Sequence, residues 1–336
     1  MIITKYITII GMITFMSSIF AGTLEEIKER GYLKCGISTG LPGFAQLNDE
    51  GKWEGFDVTF CHATAAAIFD DPDKVEFVPL SSKVRFTALQ SKEIDVLYRN
   101  TTWTATRHLG LGLTFAGINF YDGQGFMVPK SINIQKTDQL NGASICVAAG
   151  TTTEMNLADH FSSQKMTYEP VVFETAKQVR QAYEAGRCDA ITTDRSGLAA
   201  HRSALKSPDD HIILSEIISK EPLGPVVRSG DEEFSKLVSY VLYGLIAAEE
   251  LGVNSSNISS HMSSNNPKIK RLLGTVDMPY NYIGLDSDYV VRAIKHVGNY
   301  GEIYNEHIGP NTNIGLERGI NAQWTDGGIL YAPPFR

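Results

Sequence analysis

Two stretches of this chain read alike, and they limit its fold more than any other feature. Residues 77–100 (FVPLSSKVRFTALQSKEIDVLYRN) and 171–194 (VVFETAKQVRQAYEAGRCDAITTD) each run strand, helix, short turn, Asp, strand. Asp95 precedes Asp189 by 94 positions, and Asn100 precedes Asp194 by the same offset. Strands that alternate with helices pair in parallel, because the helix carries the chain back across the sheet. The repeat therefore predicts an α/β chain with two mainly parallel sheets. The self-similarity common to all strand–helix–strand proteins is the competing explanation. In open α/β sheets ligands gather beyond the carboxyl ends of the strands. Two such lobes facing each other would build one cleft, with Asn100 and Asp194 at equivalent places in it.

The remaining local signals fit that plan. Thr23-Leu-Glu-Glu26 reads as a capping box, in which the Thr oxygen and the Glu carboxylate satisfy free backbone donors, and Gly31 ends that helix. Residues 32–38 alternate like a strand, 40–44 are turn-rich, and 57–69 are helical. A strand at 75–80, a helix at 83–90 and a strand at 95–98 follow, and 155–161 reads as helix. Residues 254–267 (NSSNISSHMSSNNP) read as a loop and 288–297 as an amphipathic helix. At 336 residues the chain has the length of two domains. Its net charge of −8 argues against nucleic-acid binding, which needs a basic stripe to displace counterions.

Residues 1–21 place the protein outside the cytoplasm. Lys5 is their single charge, residues 6–20 (YITIIGMITFMSSIF) are almost wholly apolar, and Ala21 offers a small residue for cleavage. That order is a secretory signal peptide, and about 15 apolar residues are short for a membrane span. An uncleaved anchor is the alternative. Cleavage removes only Lys5 and takes the net charge to −9. In an oxidising compartment four cysteines read as two disulfides. Three pairings exist; Cys35–Cys61 with Cys146–Cys188 is preferred because each bond then staples one local unit. Four buried thiols are the alternative. No cysteine or histidine spacing suggests a metal site, and no cofactor is expected.

The loops after the strands carry a ligand chemistry. Residues 99–107 (RNTTWTATR) offer an amide, hydroxyls and backbone donors, closed by a guanidinium, which is a planar fork suited to a carboxylate. Residues 148–154 (AAGTTTE) precede a helix, where free N–H groups and hydroxyls again suit an anion. Asp194 could receive an ammonium, or else cap the helix that follows. A carboxylate clamp with an ammonium acceptor describes a zwitterion.

The blocks KCGISTGLPGF, DVTFC, NTTWT, YDGQGFMV, AAGTTTEMNLADHF, YEAGRCDAITTD, SKEPLGPVVR, VGNYGEIY and LYAPPFR are scattered over nearly the whole chain after residue 21. In combination they resemble the periplasmic amino-acid-binding proteins of ABC importers, the family-3 extracellular solute-binding group, general L-amino-acid branch. The resemblance implies a two-lobed clamshell of the type II periplasmic-binding class, with lobe 1 at 22–126, lobe 2 at 127–220 and a return to lobe 1 with a carboxyl-terminal extension at 221–336. Crossovers are implied near 125–130 and 217–228. It implies that Arg107, with Thr102 and backbone groups of Thr151 and Thr152, grips an α-carboxylate. Asp194 accepts the α-ammonium with help from Asn100, and Leu41 and Phe44 pack the ligand side chain or the cleft floor. Binders of basic amino acids carry an acid where this chain has Ser38. Binders of acidic ones use residues matching Ser82 and Arg85, which implies a preference for Glu, Asp, Gln and Asn.

The implied protein is a monomeric, non-enzymatic carrier serving a membrane permease and a cytoplasmic ATPase. Its mechanism is closure of the lobes on the ligand. A receptor's sensing domain and a periplasmic dehydratase, with Glu174 or Asp122 as acid, are the alternatives. The chain contains no GxSxG, phosphate-binding loop or HExxH. The extension has no implied ligand role beyond supporting the first lobe or the permease contact.

Overall fold

A computed structural model describes residues 22–276 and 283–336. The signal-peptide segment 1–21 lies outside the described residues. The apolar alternation at residues 32–38 forms the strand Leu33–Ser38, which pairs in parallel with Val75–Leu80 on one side and Val96–Leu97 on the other. Val226–Arg228 and Leu113–Phe115 complete this five-stranded sheet, Val226–Arg228 running antiparallel to both of its neighbours. Gly36 stands where a Cβ would lie 2.5 Å from Ile94 Cδ1, so only glycine lets Ile94 close over the strand. In the second sheet Ser144–Ala148 pairs in parallel with Glu169–Phe173 and Ala190–Asp194, while Phe120–Pro129 runs antiparallel to Ala190–Asp194. The parallel triplets of the two sheets are the two expected copies.

The repeat extends to its hydrogen bonds. Asp95 accepts from Lys34 N at 2.8 Å, and its own N–H donates to Lys34 O at 2.9 Å. Asp189 does the same with Ser144, at 2.8 and 2.9 Å. Each aspartate thus closes the turn before its strand, and the 94-residue offset has a structural cause.

Two strands join the lobes. Phe120–Pro129 and Ser219–Leu223 pair antiparallel from Phe120↔Leu223 to Gln124↔Ser219. Phe120 is buried in the first core and Phe126 in the second. The outward passage therefore lies within residues 120–124, ahead of the 125–130 expected, because Gly125 and Phe126 already pair with Thr193 and Thr192. The second passage falls in the expected region.

The capping box at Thr23 is not formed. Thr23 opens the helix Thr23–Arg30 behind an N-cap Gly22 that has no side chain to offer. Its N–H donates instead to Asp231 Oδ2 at 2.7 Å, and its hydroxyl accepts from Arg228 Nη2 at 3.0 Å. A distant carboxylate has replaced the local one. The Ser/Asn-rich stretch 254–267 also holds more than a loop. Asn254 Oδ1 accepts from Ser256 N and Asn257 N, and this turn leads into the short helix Ile258–His261, whose Ile258 is buried. The helices Phe56–Phe69, Arg85–Gln90, Thr152–Ser163 and Tyr289–Val297 each lie within a few residues of the expected place, and Arg195–Ser203 is the helix that follows Asp194.

The apolar stretch 238–248 lies within the helix Glu232–Glu250, which is buried in the first core against Phe56–Phe69 and Tyr289–Val297. Among the described residues no helix is long and apolar enough to cross a membrane. Both cysteine pairs are joined as preferred, with Cα–Cα separations of 6.1 Å for Cys35–Cys61 and 5.7 Å for Cys146–Cys188.

Candidate functional site

The cleft lies where the strand ends of both lobes meet, and the lobes are closed over it. Thr102 Oγ1 of the first lobe is 3.3 Å from Thr152 Oγ1 of the second, and Ser81 Oγ donates to Glu174 Oε1 at 3.4 Å. A Cβ on Gly150 would stand 3.1 Å from Lys83 Cα. Ala199 and Ala200, on a second-lobe helix, are buried within the first core. Nine residues singled out in the sequence line this cleft: Ser38, Leu41, Ser82, Arg85, Asn100, Thr102, Thr151, Thr152 and Asp194.

Two do not. Phe44 sits behind the cleft, its ring 5.9 Å from Phe56 and 6.1 Å from Phe120, so it belongs to the core. Arg107 stands at the edge; its Nη1 donates to Thr102 O at 2.9 Å and its guanidinium lies 5.1 Å from the centre of the Phe86 ring. Trp103 is packing, stacked on Phe115 at 5.3 Å.

Backbone geometry fixes the first-lobe loop. Asn100 adopts φ +32°, a conformation a non-glycine residue holds only under constraint. The constraint is Asp57, whose Oδ2 accepts from Asn100 N at 3.0 Å. Further along, Trp103 N donates to Pro222 O and Gly224 N to Thr101 O, stitching the loop to the returning hinge strand. In the second lobe Thr151 caps the helix Thr152–Ser163, its hydroxyl accepting from Glu154 N, so its side chain is already engaged.

Charge is concentrated here. Arg85 and Asp194 are 2% and 5% exposed, and Arg99, which sequence reasoning did not select, is buried beside them. Burial pulls the Arg85 guanidinium well below its usual range, with Arg99 and Arg107 adding repulsion; burial likewise brings Arg99 down to about 10. Asp194 is pushed well above the carboxylate range by burial, then by Asp122 and Glu221. Asp194 occupies the N-cap of Arg195–Ser203 yet makes no capping bond, and among the described residues it forms no ion pair. Arg85 Nε and Asn100 Oδ1 are buried without partners. Glu221, the other residue missed, lies on the returning hinge strand and accepts from Thr152 Oγ1 at 3.0 Å and Asn156 Nδ2 at 2.7 Å. Its only sequence signal was an acid inside an otherwise strand-like run.

Of the dehydratase candidates, Glu174 meets Ser81 at the rim, and Asp122 is held in the hinge by Gly123 N and Ser196 N. Among the described residues no cluster of three or more His, Cys, Asp or Glu could hold a metal ion.

Two lobes on paired hinge strands, closed over a cleft lined by buried Arg85, Arg99 and Asp194, define a clamshell ligand-binding protein. The chain belongs to the bacterial extracellular solute-binding proteins, family 3, which match residues 33–255. It is 52% identical over 322 residues to the general L-amino acid-binding periplasmic protein AapJ of Rhizobium johnstonii, covering 95% of this chain and 94% of that one. The glutamate/glutamine/aspartate/asparagine-binding protein BztA of Rhodobacter capsulatus is 52% identical over 317 residues, 94% of each chain. A solved ABC transporter periplasmic binding protein from Brucella ovis, with glutathione bound, superposes with a TM-score of 0.91 at 54% identity, over 94% of this chain and all of that one.

Proposed function

We propose that this protein is the exported substrate-binding component of an ABC amino-acid importer and that it closes on L-amino acids, with a preference for Glu, Asp, Gln and Asn. The observation that carries this is the buried Asp194 carboxyl, free of any ion pair among the described residues and enclosed with Arg85 and Arg99, with Arg107 at the edge. Such an arrangement is costly when empty, because buried charges without partners lose their hydration. A zwitterion answers it: the ammonium meets Asp194 and the Asn100 oxygen, and the α-carboxylate meets Thr102, the backbone of Thr151 and Thr152, and Arg107 on a modest swing. Arg85 and Ser82 then face an acidic or amide side chain. The specificities named for the Rhodobacter relative, and the γ-glutamyl head of the glutathione held by the Brucella relative, fit the same clamp.

In this reading residues 1–21 are the export signal, lobe 1 ends in the hinge passage at 120–124 and not at 126, lobe 2 ends near 220, and the rest returns to lobe 1. The protein works as a monomer, catalyses no reaction, and in its closed form presents both lobes to a permease driven by a cytoplasmic ATPase. The test is thermal unfolding of the purified protein, passed through denaturant, against the twenty amino acids. A ligand at about 100 times its dissociation constant stabilises the fold by about 2.7 kcal/mol. Glu, Asp, Gln and Asn should head the ranking, and Arg85→Ala should weaken Glu about tenfold or more while sparing small neutral ligands. No shift with any amino acid overturns the reading; equal shifts for all demote Arg85 to a structural role.

A further inference from the structure

Arg99 reaches the cleft through the ends of two neighbouring strands. It lies two residues past Val96–Leu97, is 5% exposed, and its Nε donates to Leu80 O at 2.8 Å. Leu80 ends the strand Val75–Leu80 and pairs in register with Ser38, the last residue of Leu33–Ser38. That one bond fixes the guanidinium at the carboxyl ends of both strands, in the corner where Ser38, Ser82 and Arg85 also border the cleft. Arg85 is tied to the same corner, its Nη1 donating to Arg99 O at 3.5 Å and to Thr101 Oγ1 at 3.4 Å while its Nε has no partner. The Arg99 side chain makes no other hydrogen bond and no ion pair among the described residues, so both of its Nη groups remain to donate.

The acids near Arg99 are Asp57 and Asp194. Asp57 is turned to Asn100 N, and burial carries its carboxyl up to about 7, so it offsets Arg99 only in part. Arg99, brought down to about 10, stays protonated at neutral pH. Two guanidinium groups buried side by side repel each other, and poor hydration strengthens both that repulsion and the pull on an anion placed between them.

We propose that Arg99 is a specificity-determining residue that, together with Arg85, makes this corner favour a side-chain carboxylate over an amide, so that Glu and Asp bind more tightly than Gln and Asn. The inference rests on the amino-acid reading of the cleft and deepens it by ranking the ligands within it. A carboxylate brings two accepting oxygens and the charge that offsets both guanidinium groups. An amide brings one oxygen, and its NH2 meets donors where an acceptor is needed. A basic side chain meets like charge there, and Ser38 offers it no acid.

The test is calorimetric titration of the purified protein, passed through denaturant, with Glu, Gln and Ala. The wild-type protein should bind Glu about tenfold or more tighter than Gln. Arg99→Gln removes the charge but keeps a donor for Leu80 O. It should cut the Glu-to-Gln ratio about tenfold, through weaker Glu binding, and leave Ala within about threefold. Arg99→Lys restores the charge and should recover most of the ratio, which a merely structural role would not produce. An unchanged ratio in Arg99→Gln overturns the role of Arg99, whether or not the affinities fall together. So does a wild-type protein that binds Gln as tightly as Glu, and that measurement needs no variant to fold. A wild-type protein that binds none of the three overturns the amino-acid reading itself, and the role of Arg99 with it.

Discussion

The two lobes share a repeat but not a way of being held together. The first sets one large core, into which the helix Glu232–Glu250 and the carboxyl-terminal helices Tyr289–Val297 and Tyr300–His307 are packed, beside a small cluster around Leu89, Ile94 and Leu97. The second divides its apolar residues between two small clusters on opposite faces of its sheet. The extension reaches beyond the first lobe to the hinge. Tyr300 OH donates to Asn119 O at 2.8 Å, Tyr304 stacks on Phe120 at 6.1 Å, and the Asn321 amide brackets Tyr121, accepting from its N–H at 2.7 Å and donating to its C=O at 2.9 Å. Arg318 fixes this segment through Glu249 and lies over the rings of Tyr300 and Tyr304. Tyr300, Tyr304, Arg318 and Asn321 all lie beyond residue 255, where the family match ends. The extension ties one lobe and the root of the hinge into a single framework.

The sharpest way to break that contrast is through the disulfides. Their sequence separations of 26 and 42 residues give each about 3–4 kcal/mol by loop-closure entropy, so chain statistics alone predict near-equal losses. The contrast in cores predicts otherwise. Replacing Cys146 and Cys188 by Ala should open the second lobe locally, seen as faster amide exchange confined to residues 127–220. Replacing Cys35 and Cys61 by Ala should lower the global melting temperature without selective exchange. Identical exchange patterns would refute the contrast.

Next in size is Asp194, the second lobe's main charge in the cleft. Asp194→Asn removes the ammonium acceptor and should weaken amino-acid binding about a hundredfold, the usual scale for losing one partner of a buried charge pair. It should also raise the melting temperature of the unliganded protein, because the carboxyl it removes is buried beside the like charges of Asp122 and Glu221 and forms no ion pair among the described residues. Lower stability would mean that Asp194 serves the fold. Asn321→Ala tests the brace: two hydrogen bonds to the hinge strand are lost, costing about 1–3 kcal/mol. Small-angle scattering of the unliganded variant should show a larger radius of gyration if the brace also limits opening, and an unchanged radius would confine Asn321 to stability.

The smallest effect is one of pH. Burial carries Asp57 up to about 7, with its bond to Asn100 N and the Arg99 charge only partly opposing. A carboxyl raised on folding binds its proton more tightly in the native state, so its contribution is full below about pH 4 and fades as pH rises through 7. The melting temperature should therefore fall between pH 5 and pH 8, and Asp57→Asn should flatten that slope. An unchanged slope assigns it to Asp122, which burial raises to about 6.

Much of this was legible in the chain. The repeat located two sheets, and its two aspartates do the same work in each. The glycine after the first helix stops it as expected, with φ +82°. What local reading misjudged was decided at a distance. Thr23 has a glutamate three residues on, yet it is served by Asp231, more than 200 residues away. Phe44 follows the turn that leads to the cleft, yet the rings of Phe56 and Phe120 pack it into the core.

The sequence by itself pointed to the fold class and the preferred pairing of the cysteines, because periodicity and short-range spacing act within one strand–helix–strand unit, and the family resemblance pointed to nine of the eighteen residues that border the cleft. Only the tertiary structure decided which charges are left without partners. Glu221 gains its place from hinge strands that pair it with Asp122, 99 residues away in the chain, and Arg99 from burial beside Arg85 with its Nε donating to Leu80 O at 2.8 Å. Desolvation depends on everything that surrounds a group, and that is known only once the lobes have closed.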